Sequence, residues 1–188
     1  IQLVSHRFEK EKQILEIKFK KAKYKIYLNL IGKIQVKNIL MAIIAANNSG
    51  IEFKKILKIL PRITSVEGRL EKIGKIHNNS KVILDYAHTP AALESALSNL
   101  KEQFPFNKIN LIFGCGGDRD FKKRSLMGKI AEKYSNEIYL TDDNPRNEKP
   151  FEIRNEIKKG IKNKSIHEIP DRKKAIQEAV KNLKTGDI

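Results

Sequence analysis

The chain has 188 residues, 40% of them apolar, and a formal net charge of +16, a length that suits one ordinary domain or one domain with part of another. No apolar run approaches the ~18 residues of a membrane span, the mixed opening IQLVSHRFEKEK is unlike a signal peptide, and the lone cysteine, Cys115, excludes an internal disulfide and fits a reducing, cytoplasmic setting. The charge rests on 30 Lys and only 8 Arg, a solvated lysine surface rather than the Arg-rich face of a specific nucleic-acid reader, so neither a specific nucleic-acid partner nor a membrane is expected.

Residues 13–19 and 23–30 (QILEIKF, KYKIYLNL) alternate apolar and polar positions as half-buried strands do, with Lys20-Lys21-Ala22 as their hairpin connection. The apolar segment 36–48 predicts a helix ended by Gly50, and 52–60 a shorter one stopped by Pro61. From about residue 70 the rhythm changes. LEKIGKIH and KVILDY predict two strands turning at Asn78-Asn79. Thr89 is a natural N-cap with Pro90 behind it, opening a helix whose Leu93, Ala96, Leu97 and Leu100 share one face. A strand at 108–113, a helix at 123–134, a strand at 137–141, a helix at 150–162 and a weaker strand at 165–169 follow, and Asp171 caps a last helix over 172–183. Both ends look cut: Ile1 reads as lying within a strand and Gly186-Asp187-Ile188 as a turn entering another, so a piece of a longer protein is expected.

Strands alternating with helices imply βαβ units and an α/β fold with a Rossmann-like, doubly wound, mostly parallel sheet. A boundary falls near 62–70, dividing the chain into 1–67 and 68–188. Three polar segments each follow a predicted strand and precede a helix: Asp85-Tyr86-Ala87-His88-Thr89-Pro90, Gly114-Cys115-Gly116-Gly117-Asp118-Arg119-Asp120 and Asp142-Asp143-Asn144-Pro145-Arg146. In a parallel sheet such loops share the carboxyl edge, where open α/β proteins bind ligands. They would therefore bring His88, Arg119, Arg146 and several carboxylates to one site.

Taken singly, each segment has a plainer explanation. Asp85 serves equally as a turn cap at a strand end, His88 alone reads as structural before it reads as catalytic, and GCGGDRD is not the GxGxxG of a dinucleotide turn. Cys115 has no base beside it and reads as a packing residue. Lys122-Lys123-Arg124 reads as a solvated helix start before it reads as a phosphate clamp. Arg146 is harder to dismiss, because beside a helix start the dipole disfavours a cation, which suggests an anionic ligand or a carboxylate partner.

In this order and spacing, DYAHTP, GCGGDRD and DDNPR resemble the C-terminal domain of the Mur ligases, in particular the MurE type. The motifs Gly68-Arg69-Leu70-Glu71, Arg124-Ser125-Leu126-Met127-Gly128 and Asp171–Ile176 add to the likeness, and Gly32–Asn38 resembles the end of that family's central ATPase domain. The resemblance spans roughly residues 13–188. It implies that 1–67 is an incomplete α/β remnant of the central ATP-binding domain and 68–188 the amino-acid-binding domain, truncated at its end. It implies ATP-dependent amide-bond formation in cytoplasmic peptidoglycan synthesis by a monomer, with ATP, UDP-N-acetylmuramoyl-L-alanyl-D-glutamate and an amino acid as substrates and magnesium as cofactor. Asn38, Arg69, Asp85 and His88 would serve the nucleotide; Arg119, Asp143, Asn144, Pro145 and Arg146 would hold the amino acid.

In that family DNPR accompanies meso-diaminopimelate, which is lysine with a second carboxylate that a guanidinium can grip bidentately. The resemblance therefore favours diaminopimelate over a lysine-adding ligase, and over a non-catalytic basic nucleotide- or nucleic-acid-binding module. Gln35 stands where relatives carry Asn, and Leu70 where they often carry Met. No GxxxxGK[ST] occurs among the 188 residues. The phosphate loop and the magnesium ligands would thus lie upstream, no catalytic residue is assigned within the chain, and it is expected to be inactive alone.

Overall fold

The computed structural model describes residues 1–76 and 78–188. The first three strands, β1 (Gln2–Glu9), β2 (Lys12–Phe19) and β3 (Ala22–Leu28), form an antiparallel meander. Phe19 pairs with Ala22, so the turn is the two residues Lys20-Lys21, with Lys20 at φ 54°. Helices α1 (Ile34–Asn48) and α2 (Phe53–Ile59) cover one face. Pro61 lies inside a 3-10 turn at Leu60–Arg62 that extends α2 by one more turn, so it does not stop the helix outright. Leu15, Ile17, Ile26, Leu28, Val36, Ile39, Ile43, Phe53 and Ile56 make this half's core.

The remainder alternates as the sequence predicts. An antiparallel pair, β4 (Glu71–Lys75) and β5 (Lys81–Leu84), precedes α3 (Pro90–Gln103). His77, placed in a strand by the sequence, lies outside the described residues. Then come β6 (Asn110–Phe113), α4 (Lys122–Tyr134), β7 (Glu137–Leu140), α5 (Pro150–Lys158), β8 (Ile166–Glu168) and α6 (Arg172–Lys181). Strands β6, β7 and β8 are parallel and adjacent in that order. A second core gathers Leu93, Leu97 and Leu100 of α3 with Met127, Ala131, Ile138, Leu140, Ile153 and Ile157. The caps are as expected: Thr89 Oγ1 accepts from Ala92 N at 3.2 Å and Asp171 Oδ1 from Lys174 N at 3.0 Å.

Two helices are shorter than their sequence patterns: α6 ends at Lys181, not 183, and α5 at Lys158, not 162. Just past the end of α5, a Cβ on Gly160 would lie 1.9 Å from the Ser125 carbonyl oxygen. The backbone at Gly160 is pressed against α4, and a glycine is what that approach requires.

Strands β5 and β6 are not bonded to each other. The last two residues lie between their first ones: Lys81 N donates to Asp187 O at 2.9 Å, Asn110 N to Ile188 O at 2.7 Å and Ile188 N to Lys108 O at 2.9 Å. Both strands line one cleft.

The two halves meet through side-chain amides. Gly32 N donates to Gln103 Oε1 (2.8 Å), Gln103 Nε2 to Glu11 O (3.1 Å) and Ile34 N to Asn99 Oδ1 (3.1 Å).

Candidate functional site

The cleft encloses about 1010 Å³ and is walled by β5, β6 and the apolar faces of α3 and α6. At its mouth stand Asp85, His88, Arg119, Asp143, Asn144 and Arg146. The three strand-to-helix loops therefore converge on one cleft, although of the strands that precede them only β6 and β7 pair in parallel. Pro145 shapes its loop from outside the cleft lining, and Asn38 and Arg69 lie away from it.

The last two belong to a separate chain of contacts. Asn38 Nδ2 donates to Gln35 Oε1 at 3.0 Å, and Gln35 Nε2 to Arg69 O at 3.3 Å. The Arg69 guanidinium lies 5.6 Å from the Tyr86 ring centroid, a cation–π distance, and Tyr86 meets His88 edge to face at 5.2 Å. His88 Nδ1 donates to Tyr86 O at 3.0 Å; a carbonyl only accepts, so Nε2 is the ring nitrogen left for a ligand. Asp85 is heavily engaged by its own backbone: Oδ2 accepts from Leu70 N and Oδ1 from Ala87 N, both at 2.9 Å. Its turn-capping role is thus real, and each oxygen keeps a further lone pair for a hydroxyl.

The glycine and arginine loops are laced together. Gly117 N donates to Asn144 O at 2.8 Å, Arg146 Nη1 to Gly117 O at 2.6 Å and Asn147 Nδ2 to Asp118 Oδ2 at 2.8 Å. A Cβ on Gly117 would sit 1.9 Å from Pro145 O, so only glycine lets the loops approach this closely. Asp118 and Arg146 adopt φ of 50° and 49°, a left-handed conformation costing an ordinary residue ~1–2 kcal/mol. Arg146 lies four positions before α5, which begins at Pro150, the predicted start, with Lys149 as its N-cap. Asp142, the loop's first carboxylate, pairs instead with Arg154, whose Nε also binds Glu168 at 2.8 Å.

Two residues differ from their sequence reading or escaped it. Arg124, read as part of a solvated helix start, is 1% exposed and bonded to Glu148 and Glu156. Glu148 drew no notice, because a glutamate before a helix has no distinctive pattern. The Arg124 guanidinium holds its carboxyl down at about 2. Cys115 is buried as expected, and desolvation pushes its thiol up to about 11. Lys123 reaches across to donate to His88 O at 2.8 Å, joining the first loop to the second. Arg172, at the start of α6, joins Lys81, Arg119, Lys123 and Arg146 among the cations that line the cleft. Among the described residues no group of three His, Cys, Asp or Glu side chains is placed to hold a metal ion, and no helix is long and apolar enough to cross a membrane.

Comparison with known proteins identifies this architecture. Residues 68–188 match the model of the Mur ligase, glutamate ligase domain. The Rickettsia felis protein named UDP-N-acetylmuramoyl-L-alanyl-D-glutamate--2,6-diaminopimelate ligase is 44% identical over 161 residues, covering 85% of this chain and 30% of that protein. The Buchnera aphidicola protein of the same name is 47% identical over 160 residues, covering 85% of this chain and 31% of the relative. The chain thus spans about a third of the length of these relatives. A solved structure of a ligase with that name superposes with a TM-score of 0.72 at 32% identity, over 99% of this chain and 38% of that one. A Mycobacterium tuberculosis folylpolyglutamate synthase complexed with ADP shares the fold alone, at 19% identity and a TM-score of 0.73, over 95% of this chain and 40% of that one. The chain belongs to the Mur ligase family.

Proposed function

We propose that this chain is the amino-acid-selecting part of an ATP-dependent ligase that joins meso-diaminopimelate to UDP-N-acetylmuramoyl-L-alanyl-D-glutamate. The observation that carries this reading is Arg146, held by Gly117 O and lining the same cleft as Arg119, Asp143 and Asn144. A zwitterionic amino acid with a second ammonium-and-carboxylate end fits such a mixture. Its carboxylates meet Arg119 and Arg146, and its ammonium meets Asp143. The names of the relatives support the same substrate.

In the proposed reaction the γ-phosphoryl group of ATP passes to the D-glutamyl side-chain carboxylate, releasing ADP and leaving an acyl phosphate. The diaminopimelate amine attacks the acyl carbon, loses a proton, and phosphate departs as the amide forms. This chain's share is positioning, which converts a two-body encounter into an aligned one. Asn38, Arg69, Asp85 and His88 form the edge of the nucleotide site, with Arg69 and His88 beside phosphate and Asp85 beside a ribose hydroxyl. Among the described residues no carboxylate cluster is placed to hold magnesium, so its ligands would come from other parts of the ligase. Residues 1–67, with a core of their own, fit the end of the central ATP-binding domain, and 68–188 the amino-acid domain.

Amino-acid selectivity of the full-length protein, with ATP and the UDP-linked dipeptide, tests the reading. Diaminopimelate is expected to outcompete lysine by roughly a hundredfold or more in kcat/KM. Equal use of the two, or preference for lysine, refutes it.

A further inference from the structure

Arg124 is fully buried, yet it does not line the cleft. Its fork instead reaches both loops from beneath. Nη1 and Nη2 bond Glu148 Oε2 and Oε1, each at 2.7 Å, Nη2 also reaches Gly116 O at 3.3 Å, and Nη1 binds Glu156 Oε2 at 2.8 Å. Glu148 Oε1 then accepts from Asp118 N at 2.6 Å. A single guanidinium on α4 thereby ties together the glycine loop, the arginine loop and α5.

We propose that Arg124 and Glu148 are a positioning pair that fixes the spacing between the glycine and arginine loops, and through it the affinity for the amino acid, without touching the ligand. This rests on reading those loops as the amino-acid site.

Three observations carry the proposal. First, the clamp ends on the residues whose geometry needs holding. Asp118 and Arg146 both sit in the left-handed region, which persists only where the surroundings over-determine it. Glu148 bonds the amide of Asp118 and lies two positions after Arg146. Second, the arrangement is costly as packing. Arg124 Nε is buried with no partner among the described residues, and an apolar side chain of similar volume usually serves stability as well as a buried ion pair does. What the apolar replacement lacks is direction. Third, the acceptors lie on separate elements and are met by a planar fork; a lysine ammonium has the charge but not that geometry.

The test is steady-state kinetics of the full-length ligase carrying Glu148→Gln or Arg124→Lys, with Lys129→Ala as an exposed control on α4. Both clamp variants are expected to raise KM for the amino acid about tenfold or more, while KM for ATP and for the UDP-linked dipeptide stays within about twofold. Hydrogen exchange at 116–118 and 145–148 should quicken in step. An unchanged amino-acid KM in Glu148→Gln, a parallel rise of all three constants, or a fall in kcat alone overturns the proposal and leaves the pair a merely structural one. Should Arg124→Lys fail to fold, Glu148→Gln decides, since that side chain is 31% exposed. If the unaltered enzyme prefers an amino acid other than diaminopimelate, the substrate reading fails while the clamp is still measured on the amino acid it does use.

Discussion

Arg146 donates from Nη1 to the carbonyl oxygen of Gly117 at 2.6 Å, across 29 positions of sequence. One N–H of the guanidinium is thus spent on aiming the others. The side chain is held by the neighbouring loop before any ligand arrives, which reduces the ordering that binding must supply.

In the full-length ligase, Arg146→Ala is expected to cut kcat/KM for diaminopimelate roughly ten- to a hundredfold, as loss of a charge-assisted contact worth ~1.5–3 kcal/mol implies. Lys149 is 82% exposed and, among the described residues, pairs only with Glu152, so Lys149→Ala should change it less than about twofold. Similar losses in the two variants would remove the selectivity argument.

Gly117→Ala places a methyl group against the Pro145 carbonyl. The loops must part, and the Arg146 contact goes with them. Urea denaturation of the chain should show a destabilisation of ~1–3 kcal/mol, the usual scale of overpacking. In the full-length enzyme the amino-acid KM should rise as well. A wild-type midpoint and wild-type KM would mean that the approach is not needed.

The pH dependence has opposite signs at its two ends. Glu148 is depressed to about 2 by Arg124 and by the Asp118 amide. Its contribution is therefore present above the ordinary carboxylate pKa near 4.5 and is lost as pH falls from there toward 2. Thermal melts by circular dichroism should show a steeper acid loss in the native chain than in Glu148→Gln. At the alkaline end, Cys115 is raised from 9.0 to about 11 by burial. Between those values only the unfolded chain releases the proton, so stability falls as pH rises. Below pH 9 the thiol should resist a thiol-specific reagent in the native chain and react on unfolding. Rapid native labelling would contradict its burial.

The chain by itself should show no ligase and no ATPase turnover, since no phosphate-cradling loop occurs in its sequence. Coupled-enzyme detection of ADP with all substrates present checks this, and measurable turnover would overturn the assignment of ATP handling to other parts of the ligase.

Local pattern carried much of the fold into the sequence. Thr89 and Asp171 announce their helices because an N-cap needs only a side-chain oxygen and the next turn's amides. The four apolar positions of α3 repeat at helical spacing because one face must be buried. The convergence of the three loops was also legible, since parallel strands put every such loop on one edge. These features depend on neighbours a few residues apart, or on topology alone.

What remained hidden depends on residues far apart in sequence. Lys122-Lys123-Arg124 looks like one basic run, yet Lys123 reaches His88 O while Arg124 turns inward to carboxylates 24 and 32 positions away. The need for glycine at position 160 is set by a close approach to the Ser125 carbonyl of α4, 35 positions earlier in the chain. The left-handed turn at Arg146 is stabilised by bonds to the glycine loop. The sequence by itself determined the element order, the parallel edge and the residue types gathered there, because periodicity and capping are written within a few residues. Only the tertiary structure decided which cations face the cleft and which hold it in shape, because a buried charge goes wherever packing supplies its acceptors.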